Sequence, residues 1–145
     1  MLYAEDLDAG TVFPLGRRSL TAAEIMEFAR AWDPMPFHVD EAAGRASPFG
    51  GLIASGLHTI AVAQRLLFDA FMDRTHVIAG LGVDGLRMTG PVRPGTVITG
   101  QAEILDRRLR DADGVVTFRT ALVDGDDGSA LLTQRTTMLV GRRPA

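Results

Sequence analysis

Residues 55–74 read SGLHTIAVAQRLLFDAFMDR, and their apolar side chains do not keep to one face of a helix. Leu57, Ile60, Ala61, Ala63, Leu66, Leu67, Ala70 and Phe71 spread around much of the circumference, the pattern of a helix buried within other structure. The rest of the chain must therefore supply a wrapper.

The second half has the right character for one. HVIAGLGVDGLRM, TVITGQAEILDRRL, VVTFRTALVD and ALLTQRTTMLVG are rich in Val, Ile, Leu, Thr and Phe and alternate in stretches, as strands do. The turn-forming clusters GPVRPG, RDADG and DGDDG separate them. Connections this short favour antiparallel pairing, because parallel neighbours need crossovers of about a dozen residues. Pro94-Gly95 suits the centre of a type II turn. Ahead of the buried helix, TVFPLG (11–16) is a short strand candidate, and Thr21 with Glu24 forms a T-x-x-E capping box that opens a second helix. That helix should stop at Asp33, since Pro34 disfavours helical geometry in the residue before it. Residues 39–46 suit a short helix and 47–56 a loop. The reading is an α+β fold in one domain spanning 1–145, a long central helix wrapped by an antiparallel sheet.

Composition removes several classes of chemistry. The formal net charge of -3 gives no basic footprint for nucleic acid or an acidic membrane surface. With no cysteine there are no disulfides, thiolate metal sites or thiol nucleophiles, and with no lysine there is no Schiff base. The three histidines lie 20 and 18 residues apart without a companion metal-ligand pattern, so no metal site is expected. MLYAEDLDAG lacks the basic start and apolar run of a signal peptide, and no apolar stretch reaches membrane-span length. A cytoplasmic protein with no membrane contact is the expectation.

The segment WDPMPFH (32–38) places an aspartate and a histidine five residues apart, with two prolines between them. Taken singly, Asp33 could bond turn backbone and His38 could be a satisfied core histidine. The prolines restrict the intervening backbone, which favours a fixed relation between the two side chains. An Asp and a neutral His held together can share a water as general base and general acid, with Trp32, Met35 and Phe37 as apolar pocket neighbours. In GGLIASGLHT (50–59), Ser55 is an N-cap candidate and Gly56 permits close approach to the first helical turn. Its free N–H groups could serve only the helix start, or could form an oxyanion hole for an ester or thioester carbonyl.

Together, FARAWDPMPFHVDEAAGRASPFGGLIASGLHT and GLGVDGLRMTGPVRPGT resemble the MaoC-like dehydratases, which include the (R)-specific enoyl-CoA hydratases. Asp33, Pro36 and His38 match the family pattern D-x-N-P-x-H, while Met35 stands where Asn is usual and Trp32 where Gly is common. The resemblance implies the hot-dog fold and a homodimer or higher homo-oligomer. It implies reversible addition of water to a trans-2-enoyl thioester carried by coenzyme A or acyl carrier protein, giving an (R)-3-hydroxyacyl product. Asp33 would be the main base, His38 its partner with the water, and Gly56 the oxyanion donor, with Ser55 beside it where many members have His. No cofactor is implied beyond coenzyme A as part of the substrate. A thioesterase on the same fold, or a non-catalytic acyl-CoA-binding or partner subunit, are the alternative readings.

The remaining conspicuous residues point less sharply. His58 is expected to be a core or interface histidine, Thr59 to pack, and His76 to be exposed. Arg107-Arg108 and Arg142-Arg143 read as solvated strand-end charges, though arginine also suits coenzyme A phosphates; Arg87 and Arg93 share that ambiguity.

Overall fold

The computed structural model describes residues 1–145. The chain runs β1 (Val12–Pro14), α1 (Ala22–Trp32), α2 (Pro36–Val39), α3 (Glu41–Ala46), α4 (Gly56–Ala70), β2 (Val77–Met88), β3 (Ile98–Leu109), β4 (Asp113–Asp124) and β5 (Ala130–Gly141). A single 3-10 turn at Ala4–Asp6 precedes this series, and another at Met72–Arg74 joins α4 to β2.

The strands form one antiparallel sheet in the order β1-β3-β4-β5-β2. In the central strand β4, Val116, Phe118, Thr120 and Leu122 alternate inward and are buried. Phe118 meets Phe71 edge-to-face at 5.5 Å, and Phe13 of β1 stacks on Phe71 at 4.3 Å. Val62, Ala63, Leu66 and Leu67 bring α4 into the same core. Each buried Val, Leu or Phe side chain among these stabilises the fold by about 1.5–3 kcal/mol.

The capping box is formed: Glu24 N–H donates to Thr21 Oγ1 (3.1 Å) and Thr21 N–H to Glu24 Oε1 (3.2 Å). The helix α1 ends at Trp32, and Asp33 is its C-cap. Arg93 to Thr96 make the turn expected around Pro94-Gly95, with a 3.0 Å bond from Thr96 N–H to Arg93 O and φ of 82° at Gly95.

Three expectations are corrected. The segment after β2 is not a hairpin turn, because β2 pairs with β5 and residues 89–97 must cross to β3 on the far side of the sheet. The wrapping of α4 is one-sided: Leu57, Ala61 and Phe68 remain exposed, because a single sheet covers one flank of a helix. Of the strand-end arginines, Arg108 is exposed as expected, but the other three are not simply solvated. Arg107 pairs with Asp8 at 2.7 Å, Arg142 with Glu5, and Arg143 with Asp6 at 2.6 Å while lying over the Tyr3 ring. These pairs fasten the N-terminal turn to the ends of β3 and β5. The Arg142 hydrogen bond, with backbone donors, lowers the Glu5 pKa from 4.5 to about 2.

Candidate active site

Asp33 and His38 are brought together by the short segment that separates them. Met35 N–H donates to Asp33 O (2.8 Å) around Pro34, and His38 N–H donates to Met35 O (2.9 Å). Pro36 occupies the first turn of α2, where its missing N–H costs nothing and its fixed φ favours the helix. This turn, not foreseen in the sequence, carries Phe37 and His38 inward.

His38 is buried, and its Nδ1 lies 2.7 Å from Ile53 O. A carbonyl oxygen can only accept, so Nδ1 carries the proton in neutral His38 and Nε2 presents a lone pair. That Nε2 stands 3.5 Å from Asp33 Oδ2. Two acceptors facing each other do not bond directly; a molecule with two donor hydrogens, such as water, satisfies both. Ser55 Oγ donates to the same Oδ2 at 2.7 Å and also accepts from Leu57 N–H at 3.2 Å. The helix cap and the aspartate are thus joined through one hydroxyl.

Gly56 opens α4, and its N–H has no acceptor within the protein. It lies on the same cavity of about 600 Å³ as Asp33, Met35, Phe37 and His38. The helix N-terminus favours negative charge there. A methyl on Gly56 would overlap Sδ and Cε of Met88, which covers this first turn from the end of β2. Close approach, not an unusual backbone angle, is what favours glycine.

Not every sequence-selected residue converges. Trp32 does not line this cavity: it ends α1 with 70% of its surface exposed, on a separate groove with Phe28 and His58. It follows Phe28 by one helical turn on the same face of α1, so Trp32 accompanies Phe28 away from the site. Met35 lines the cavity without a side-chain hydrogen bond. His58 is buried against Phe28, stacked at 4.3 Å, with Nδ1 unpartnered; burial lowers its pKa, against the raising effect of Glu24. It faces away from Asp33 and His38, on the Arg18–Glu24 side. Thr59 is buried as expected and also contributes to the cavity wall. His76 is exposed and stacks on Tyr3 at 5.7 Å.

Sequence reasoning missed the wall formed by Phe49, Met88, Thr89–Val92 and Leu131, and the role of the Ile53 carbonyl. A backbone carbonyl leaves no residue-type signal, and the 89–92 wall depends on the crossover. No three His, Asp or Glu side chains converge in an arrangement that could hold a metal ion.

The MaoC like domain family matches residues 10–125 of the chain. The chain belongs to the MaoC-like family. The MaoC-like dehydratase from Rhodospirillum rubrum has the same fold, with a TM-score of 0.91 and 35% identity, covering 100% of both chains. The uncharacterized protein YdeM of Bacillus subtilis is 30% identical over 78% of this chain and 81% of its own length. The 3-hydroxybutyryl-CoA dehydratase of Methylorubrum extorquens is 26% identical over 87% of this chain and 82% of its own. The α4 helix and its antiparallel sheet are the MaoC-like hot-dog fold, with the Asp33–His38 segment arching over the start of α4.

Proposed function

We propose that this MaoC-like protein is a hydratase/dehydratase that adds water reversibly to a trans-2-enoyl thioester, giving the (R)-3-hydroxyacyl thioester. The observation that carries the proposal is the pair of facing acceptors, Asp33 Oδ2 and His38 Nε2, 3.5 Å apart beside the free Gly56 N–H. Its relationship to a 3-hydroxybutyryl-CoA dehydratase supports the same class of reaction.

In this reading a water donates one hydrogen to each acceptor. Asp33 takes a proton as the water oxygen bonds to C3 of the enoyl group, and the C2–C3 π electrons move toward the thioester oxygen. Gly56 N–H and the α4 dipole stabilise that oxygen's negative charge. Proton delivery to C2 from the Asp33–His38 pair completes the addition, so one water is consumed and no other group leaves. No cofactor takes part beyond the coenzyme A of the substrate. Met35 replaces a polar group by a thioether at the cavity edge, so the water is ordered chiefly by Asp33 and His38, with Ser55 holding the aspartate from behind.

The proposal includes a homodimer, built on the β2 edge. Val77–Met88 pairs on one side only, with β5, and exposes Ile78, Leu81, Val83, Leu86 and Met88. A long apolar edge strand is a template for pairing, and a second copy related by a two-fold axis would cover it. A cytoplasmic setting is part of the same proposal. Incubating the purified protein with trans-2-enoyl-CoA thioesters of several lengths tests the activity. Loss of enoyl absorbance with formation of 3-hydroxyacyl-CoA is expected; thiol release without water addition would assign a thioesterase instead.

A further inference from the structure

We infer that Arg93 binds a phosphate of the substrate's carrier at the mouth of the Asp33–His38 cavity. This rests on the hydratase reading, since coenzyme A and acyl carrier protein both present the acyl group on a phosphopantetheine arm. The chain carries a formal charge of -3, so it offers such an anion no general attraction. A local, fixed cation has to do this.

The arginines can be sorted by their partners. Arg65, Arg74, Arg107, Arg110, Arg142 and Arg143 are each engaged by a carboxylate of the chain. Among the others, Arg93 is the one whose guanidinium bonds a residue of the cavity wall: Nη2 donates to Phe49 O at 2.7 Å. Nη1 lies beside Gly51, where a methyl would stand 3.2 Å from it. Arg87 immediately precedes the cavity residue Met88 on β2, and successive strand side chains point to opposite faces, which turns Arg87 away.

The Arg93 backbone is locked at the start of the Arg93–Thr96 turn, where its N–H also donates to Thr96 Oγ1 at 3.0 Å. Its side chain is exposed and has no carboxylate partner. One of its five N–H groups is spent on the Phe49 carbonyl. The rest of the planar fork is free for a bidentate phosphate contact. Pro91 and Val92, just before it, line the cavity, so a carrier leaving the acyl site along this wall passes the guanidinium.

The test compares Arg93→Gln with the unaltered protein on trans-2-butenoyl-CoA, trans-2-butenoyl-phosphopantetheine and the phosphate-free trans-2-butenoyl-N-acetylcysteamine. Arg93→Gln is expected to raise KM for the coenzyme A substrate about tenfold, to leave its kcat within about twofold, and to leave KM for the cysteamine substrate unchanged. Arg119→Gln on β4, which removes the same charge away from the cavity, should change neither. A rise shared with phosphopantetheine assigns the phosphate next to pantetheine; a rise with coenzyme A alone assigns the nucleotide phosphates, and both support the inference. Equal effects on the coenzyme A and cysteamine substrates would make Arg93 only a clamp for the Phe49 loop and overturn it. If the unaltered protein hydrates none of the three, the hydratase reading fails separately. Calorimetric titration with free coenzyme A then decides the Arg93 site: weaker binding by Arg93→Gln supports it, and equal or absent binding overturns it.

Discussion

Ser55 Oγ donates a 2.7 Å hydrogen bond to Asp33 Oδ2, the same carboxylate oxygen that stands 3.5 Å from His38 Nε2. The hydroxyl is fully buried and also caps α4, so the aspartate is tied to the helix that carries the Gly56 N–H. In the hydratase reading Ser55 therefore positions Asp33. Ser55→Ala should lower kcat about tenfold with KM little changed, and destabilise the fold by about 1–2 kcal/mol through the lost cap. Ser55→Thr, which keeps the hydroxyl, should recover part of kcat. Equal kcat for the Ala and Thr variants would remove this role.

Asp33 and His38 are assigned different work, and their variants should differ. Asp33→Asn keeps the size of the side chain but not its basicity, so kcat should fall by about 10²–10⁴ with the melting temperature nearly unchanged. His38→Phe removes the Nε2 acceptor and also leaves the Ile53 carbonyl without its buried donor, at a cost of about 1–3 kcal/mol. Steady-state kinetics alongside thermal melts separate the two. Retained activity in Asp33→Asn would exclude Asp33 as the base.

Gly56 and Met88 make a pair whose coupling can be measured. A methyl on Gly56 would displace the Met88 Sδ and Cε, but Met88 is unbranched and flexible, so its end can move. Gly56→Ala should change stability by no more than about 1 kcal/mol. Its kcat/KM should nevertheless fall, because the displaced thioether enters the cavity. Adding Met88→Ala should restore part of that loss; a double variant as impaired as Gly56→Ala alone would dissociate the two residues.

The N-terminal ion pairs give a pH-dependent prediction. Glu5 titrates near 2 in the folded chain, chiefly through Arg142, against an ordinary value of 4.5. A depressed carboxyl pKa favours folding above the unfolded value, and that contribution fades as pH falls through the folded one. The melting temperature of the unaltered protein should exceed that of Glu5→Gln at neutral pH, and the gap should narrow progressively below about pH 4.5. A gap constant from pH 7 to pH 3 would contradict the assignment.

What could be read from sequence was whatever local physics decides. The Thr21–Glu24 box, the stop at Asp33, the turn at Pro94-Gly95 and the alternation of β4 depend on residues a few positions apart, and the structure forms each of them. The partnership of β2 with β5 depends on where a nine-residue crossover leads, which local pattern does not encode. The same crossover supplies Thr89–Val92 to the cavity. Trp32 shows the complementary error: nearness to Asp33 in sequence suggested a shared pocket, but helical rotation separated the two side chains.

The most direct test of the Asp33–His38 water site is hydration itself, followed in H₂¹⁸O with trans-2-butenoyl-CoA and with chiral analysis of the product. The account predicts loss of enoyl absorbance, one ¹⁸O at C3 and the (R)-3-hydroxyacyl thioester, all absent in Asp33→Asn. Unchanged enoyl absorbance across short, long and branched thioesters, or equal turnover by Asp33→Asn, would contradict it.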